Sequence, residues 1–244
     1  MADTQSSAFS DLQYDFCYPP GVERHWWMRA RAAIVDALVR DGGGGGPVLE
    51  IGCGNGATLS LLRAHGLDCR GVELADVSVR DDVKTFITAN CDAAQLPDDV
   101  RHRMETILLL DVVEHIEQPD AFLRRIAASF NAARRMVITV PARKEVWSNY
   151  DEFYGHYRRY DLAGLRALGE AQGWRLRRAG YAFRITYPPA RVLAALKLPR
   201  SVKVEVPNGA AALVHRALAA LTVWEWHLLP AALPGTSVIA SFDL

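Results

Sequence analysis

Two rhythms of bulky apolar residues alternate along this chain. From Glu23 to Arg40 the residues Trp26, Trp27, Ile34, Val35 and Leu38 recur at gaps of three and four, the spacing of one face of an amphipathic helix. The glycine run Gly42 to Gly46 ends it and reads as a flexible connector. Val48-Leu49-Glu50-Ile51 then reads as a short buried strand. It runs through glycines into a helical segment from Ala57 to His65, with Leu59 and Leu62 inward and Gly66 as C-cap. Further strands are predicted over Cys69 to Leu74, Phe86 to Cys91, Thr106 to Leu110 and Met136 to Val140, with a helix from about Pro119 to Phe130. Strands alternating with helices imply parallel pairing through right-handed crossovers, hence a doubly wound, Rossmann-like α/β sheet. Such sheets bind ligands beyond the carboxyl ends of their strands.

After Pro141 the pattern changes. An aromatic and arginine-rich segment, Trp147 to Tyr160, precedes a helix ending near Gly173, a strand-like stretch from Trp174 to Arg184, and a last strand, Ser237 to Asp243. Between those strands lies an apolar insertion, 185–234, broken by Pro188, Pro189, Pro199, Pro207 and Pro230. His215, Arg216, Glu225 and His227 keep any run short of the roughly 18 uncharged apolar residues that a spanning helix needs. Three readings of the insertion stay open: a helical cap on the sheet, a hydrophobic acceptor pocket, or a helix lying on a membrane surface to reach a lipid-linked acceptor. The organisation expected is an N-terminal helical cap and connector over 1–46 and one catalytic domain over 47–244.

Charge narrows the partners. The 28 basic and 28 acidic side chains balance, so no global field draws the chain to nucleic acid. Cys17, Cys53, Cys69 and Cys91 lack CxxC spacing, which suits reduced thiols and gives no structural metal set. Met1 to Ser10 has neither a basic n-region nor an apolar h-region, so a cytoplasmic protein is expected, with association at the inner membrane surface left open by the insertion.

The candidate chemistry begins where the first strand meets Gly52-Cys53-Gly54-Asn55-Gly56. Glycines there let a ligand approach backbone closely, and the following helix adds unpaired N–H groups. Gly52, Gly54 and Ala57 also fit a dinucleotide fingerprint, so an NAD-dependent oxidoreductase competes. Glu73, about 20 residues on, is placed to accept ribose hydroxyls of either cofactor. Asp92 is placed to accept from an adenine amino group or, alternatively, to cap its own backbone.

Taken with Glu50 before the loop and Leu110-Asp111-Val112-Val113-Glu114-His115-Ile116 beyond it, these segments resemble the successive motifs of class I S-adenosylmethionine-dependent methyltransferases. The likeness is nearest to the small-molecule group that includes ubiquinone-biosynthesis methyltransferases. The resemblance implies seven strands with the last antiparallel, and S-adenosyl-L-methionine across Gly52, Gly54, Gly56, Glu73 and Asp92. It also implies that Glu50 orients the loop or the methionyl amine and that Asp111 lies beside the methionine portion. Glu23 to Arg31 resembles the N-terminal helix that covers the cofactor in relatives, with Arg29 placed to pair with the methionyl carboxylate.

A sulfonium methyl group is already activated, so alignment and exclusion of water carry most of the catalysis, and a base helps only for some acceptors. Two histidines compete for that role, His115 and His156. Within Asp151 to Tyr160, His156 and Tyr160 are candidates to position or deprotonate a small-molecule or lipid-linked acceptor, and Arg158 or Arg159 to bind an anionic group on it. A non-catalytic binding module of the same fold is the third reading.

Overall fold

The computed structural model describes residues 9–244; the leader reading made on Met1 to Ser10 therefore falls largely outside the described residues. One seven-stranded sheet organises them, in the order β3-β2-β1-β4-β5-β7-β6. The strands are β1 (Val48–Ile51), β2 (Cys69–Val72), β3 (Ile87–Thr88), β4 (Thr106–Leu110), β5 (Arg135–Pro141), β6 (Arg175–Ala182) and β7 (Ser237–Asp243). Neighbours from β3 through β5 run parallel, and β7 runs antiparallel to both β5 and β6. Strand order reverses at β1, which lies between β2 and β4, so the crevice beyond β1 and β4 is the topological switch point.

Every residue of β4 is buried because both faces of the sheet are covered. Alternate residues go to opposite layers. Leu108 and Leu110 pack with Ile34, Val35 and Leu38 of α2 (Trp26–Arg40) and Leu59 and Leu62 of α3 (Ala57–Ala64). Ile107 and Leu109 face Leu123 and Ile126 of α5 (Pro119–Ser129) and Leu165 and Leu168 of α7 (Leu162–Glu170). Helix α2 is thus a layer of the domain, and it starts at Trp26, where His25 Nδ1 accepts from the Trp27 N–H at 3.3 Å. A shorter helix, α1 (Asp11–Cys17), precedes it, while α4 (Asp98–Arg101) and α6 (Asn149–Phe153) lie in the connections.

One expectation is corrected. Strand β3 is only two residues long, because Asn90 takes a left-handed φ of 53° and turns the chain out of extended geometry. The glycine run follows a helix end that the sheet holds in place. Arg135 Nη1, from β5, donates to the carbonyls of Leu38, Val39 and Asp41 at 3.2, 2.8 and 2.6 Å, satisfying acceptors that the end of α2 leaves open. A Cβ on Gly44 would stand 2.0 Å from the Val39 carbonyl oxygen.

The insertion forms α8 (Tyr187–Ala195) and α9 (Ala210–Leu228), joined by an irregular strap. Helix α9 buries Ala219 and Trp226 against the α2 layer, whereas α8 buries no residue. Among the described residues no helix is long and apolar enough to cross a membrane.

Candidate active site

Gly52, Gly54 and Gly56 all take positive φ, at 75°, 56° and 88°, as the chain turns from β1 into α3. Glu73 braces this loop: its Oε2 accepts from the Gly54 N–H at 2.8 Å and its Oε1 from the Ala75 N–H at 3.0 Å. Beneath the loop Glu50 is buried, with Oε2 unpartnered among the described residues. Burial raises its carboxyl from 4.5 to about 8, while the Arg31 charge pulls the other way.

Asp111 follows β4 with φ 57° and is fixed there by Thr139, whose Oγ1 donates to Oδ1 at 3.0 Å. Its other oxygen pairs with the buried guanidinium of Arg31, which also donates to Thr58 Oγ1 at 2.8 Å and lies 4.2 Å from the Trp27 ring centre. Asp92 does two things at once. Its Oδ1 caps the Ala94 N–H at 2.8 Å, and both its oxygens accept from Arg125, at 2.8 and 2.9 Å. Burial opposes ionisation of Asp92, but the Arg125 and Ala94 hydrogen bonds outweigh it and its pKa falls.

Two cavities open at the carboxyl ends of the strands. The first, about 540 Å³, is lined by Gly52, Gly54, Glu73, Asp92 and Phe122. The second, about 630 Å³, is lined by Trp26, Trp27, Tyr150, His156, Leu193 and Arg200. They share Phe9, Tyr18, Asp111 and His115. Both volumes fall in the range of small-molecule sites. Two smaller clefts, about 120 and 390 Å³, lie around Pro47, at the amino ends of the strands.

In the second cavity His156 Nδ1 lies 2.8 Å from Asp151 Oδ1, and Asp151 is fully buried and bound by Arg159 at 2.6 and 3.0 Å. The two donors overcome the cost of burial and hold Asp151 at about 2. A charged Asp151 keeps the proton on Nδ1 and leaves Nε2 of His156 as the basic nitrogen. His115 stacks edge-on to His156 with ring centres 4.8 Å apart; burial, then the neighbouring His156, lower it to about 3, so it stays neutral at ordinary pH.

A scan against family models matches residues 24–179 to a methyltransferase domain, well over half of the chain. The chain belongs to the class I S-adenosylmethionine-dependent methyltransferase family. It is 28% identical over 88 residues to the mitochondrial ubiquinone biosynthesis O-methyltransferase of Arabidopsis thaliana, covering 33% of this chain and 27% of that one. It is 29% identical over 98 residues to the ubiquinone biosynthesis O-methyltransferase of Azorhizobium caulinodans, covering 38% of this chain and 39% of that one. The match thus spans well under half the length of these curated relatives. Magnesium protoporphyrin IX methyltransferase from Synechocystis PCC 6803, solved with bound S-adenosylhomocysteine, superposes with a TM-score of 0.52 over 95% of this chain and 97% of that one. At 17% identity that likeness is one of fold.

Within this methyltransferase the residues singled out from sequence divide. Gly52, Gly54, Glu73, Asp92, Asp111 and His115 line the first cavity, and His156 the second, while Glu50 lies beneath the loop. Gly56 is at the start of α3 against Val83 and Ile87, off the lining. Arg29 is on neither lining. Trp27, Arg31 and Leu38 share the inward face of α2 at helical spacing, and two residues' offset turns Arg29 away from it. Tyr160 is also displaced: it belongs to the core layer, bridging Ala142 through its backbone, and burial raises its phenol to about 12. Arg158 is engaged with the Glu117 carbonyl at 2.6 Å, and Arg159 with Asp151.

Sequence reasoning missed Arg31, whose signal was its i,i+4 spacing from Trp27. It also missed Glu114, which the 3₁₀ turn over Val113–His115 buries at the second cavity with one oxygen unpartnered among the described residues. Glu114, His115 and His156 each bring a ligand atom within 4.8 Å of the others, a spacing that could hold a divalent cation.

Proposed function

We propose that this enzyme transfers a methyl group from S-adenosyl-L-methionine, held in the first cavity, to an oxygen of a small-molecule acceptor in the second, with His156 as general base. The observation that carries this reading is the shared wall of Asp111 and His115, which brings a cofactor-type cavity and an aromatic-lined cavity to one junction. The residues fit the cofactor. Glu50, beneath the loop, offers a buried, unpartnered carboxyl oxygen to the methionyl ammonium, Arg31, on the second lining beside the shared Asp111, a buried guanidinium to the methionyl carboxylate, and Glu73 and Asp92 line the first cavity. A Cβ on Gly54 would lie 2.7 Å from the Tyr18 ring, so glycine keeps that wall of the cavity in place. When bound, the cofactor supplies a methyl group activated by sulfonium charge. The chain supplies alignment, a dry aromatic wall, and a nitrogen oriented by Asp151 to take the acceptor's proton. Oxygen as the accepting atom is supported by the names of the two curated relatives.

Calorimetry with S-adenosylhomocysteine and NAD tests the cofactor half. Binding of the first and none of the second is expected, and the reverse would overturn the proposal. Incubating a metabolite extract with enzyme and cofactor tests the transfer, through a mass gain of one methyl group in a hydroxyl-bearing compound.

A membrane-borne acceptor is supported by a different observation. Leu196, Leu213 and Leu228 are each at least 63% exposed on and beside α8 and α9, with Trp224 also exposed. Co-sedimentation with anionic vesicles, lost in a Leu213→Glu, Leu228→Glu double variant, is the expected result; no sedimentation of the wild type would remove this reading.

A further inference from the structure

The second cavity carries an unevenly balanced set of charges. Its Arg31 is neutralised by Asp111, and its Arg159 by the buried Asp151. Arg200, Lys203 and Glu205 are further charged residues of the lining, and Lys203 and Glu205 are exposed. Arg200 is different. It forms no ion pair, and its guanidinium makes no hydrogen bond, among the described residues. Its Cζ lies 4.1 Å from the centre of the Tyr150 ring, and the residue is half-buried on the cavity wall.

Its position is built, although it lies in the irregular strap between α8 and α9. Asn149 Nδ2 donates to the Arg200 carbonyl at 3.0 Å, and the Arg200 N–H donates back to Asn149 Oδ1 at 2.9 Å. Two residues on, the Val202 carbonyl accepts from the Tyr154 hydroxyl at 2.7 Å, and the Val204 N–H donates to the Phe16 carbonyl at 2.9 Å. Three attachments, to Asn149 of α6, to Tyr154 just after it and to Phe16 of α1, thus hold the strap along the cavity, with an arginine at its first fixed point. A planar guanidinium backed by an aromatic ring, and left with its edge unpaired, is suited to a bidentate oxyanion. The same lining carries the apolar side chains of Trp26, Trp27, Val146, Leu193 and Leu198.

We infer that Arg200 is the anchor for a carboxylate on the acceptor, so that this methyltransferase selects molecules with an apolar body, a carboxylate at one end and the accepting hydroxyl toward His156. The inference rests on the proposed assignment of the second cavity to the acceptor. It replaces Arg158 and Arg159, both already engaged, as the source of anion recognition.

The test uses a hydroxynaphthoate and the matching neutral hydroxynaphthamide as probes, titrated by calorimetry into enzyme saturated with S-adenosylhomocysteine. The wild type is expected to bind the carboxylate at least about tenfold more tightly than the amide, the low end of a hydrogen bond to a charged group. In Arg200→Met that preference falls to near unity with amide binding unchanged, and Arg200→Lys restores part of it. Unchanged homocysteine-product binding in both variants shows that the cofactor side is intact. A preference that survives Arg200→Met, no preference in the wild type, or no binding of the naphthoate would each overturn the inference. If S-adenosylhomocysteine itself fails to bind the wild type, it is the cofactor assignment that has failed.

Discussion

Replacing Glu50 by glutamine separates what this carboxyl does for stability from what it does for binding. Buried under the loop, it takes up protons in the folded chain up to about 8, against 4.5 unfolded. Between those values the folded state holds more protons than the unfolded one, so stability falls as pH rises. The contribution is fully present below 4.5 and lost once pH passes about 8. Three to four pH units at about 1.4 kcal/mol each give an upper bound of roughly 5 kcal/mol, on the order of 10 °C in melting temperature for a chain of this size. Glu50→Gln removes the titration but keeps the shape. Thermal melts of the ligand-free enzyme are therefore expected to show the variant equal to wild type near about pH 5 and clearly more stable near about pH 8.5. Cofactor affinity should move the opposite way, because an amide cannot neutralise the methionyl ammonium; a loss of about tenfold or more is expected by calorimetry. A melting difference that does not change with pH would refute the reasoning, whatever happens to affinity.

The two histidines are expected to part company: His156→Gln should cost about 10²- to 10⁴-fold in turnover of an identified acceptor, whereas His115→Gln, removing a group neutral above its pKa of about 3, should leave the pH–rate profile in place. Equal losses would remove the base assignment. Asp151→Asn breaks a buried pair, which typically costs about 3–5 kcal/mol. Because the Asp151 pKa is depressed from 3.8 to about 2, the stability it lends is present above 3.8 and lost as pH falls through about 2, so the variant's acid-unfolding curve should lose that step. Gly44→Ala discriminates between a slack linker and a built turn. Slack chain would gain about 0.4–1 kcal/mol from the substitution, whereas a Cβ 2.0 Å from the Val39 carbonyl should cost about 1–3 kcal/mol, read as a melting temperature several degrees lower.

What could be read from sequence was whatever repeats or sits at a strand end. Leu59 and Leu62, or Ile107 against Leu108, declare their layers by period, and Gly52, Gly54, Glu73, Asp92 and Asp111 follow strands whose carboxyl ends the topology gathers at β1 and β4. Arg29 and Tyr160 lie off both cavity linings because facing direction, which residue type and neighbourhood do not reveal, turns them elsewhere. On α2 the inward face belongs to Arg31, and Tyr160 follows Arg159 into the strand-like bridge to Ala142, which turns its ring to the core. The end of α2 before the glycine run looked featureless because its partner, Arg135, is more than 90 residues away and recognises carbonyl groups that every residue carries. Arg200 was hidden for the same reason. Nothing local marks it, and its place is set by Asn149 and Tyr154 through contacts to backbone alone. Side chains that bind main chain leave no pattern in the sequence they bind. The second cavity is held together by such contacts, whereas the first is written in glycines and carboxylates. The chain therefore discloses its methyl donor far more readily than its acceptor, and Arg200 is the position at which measurement can reach the acceptor first.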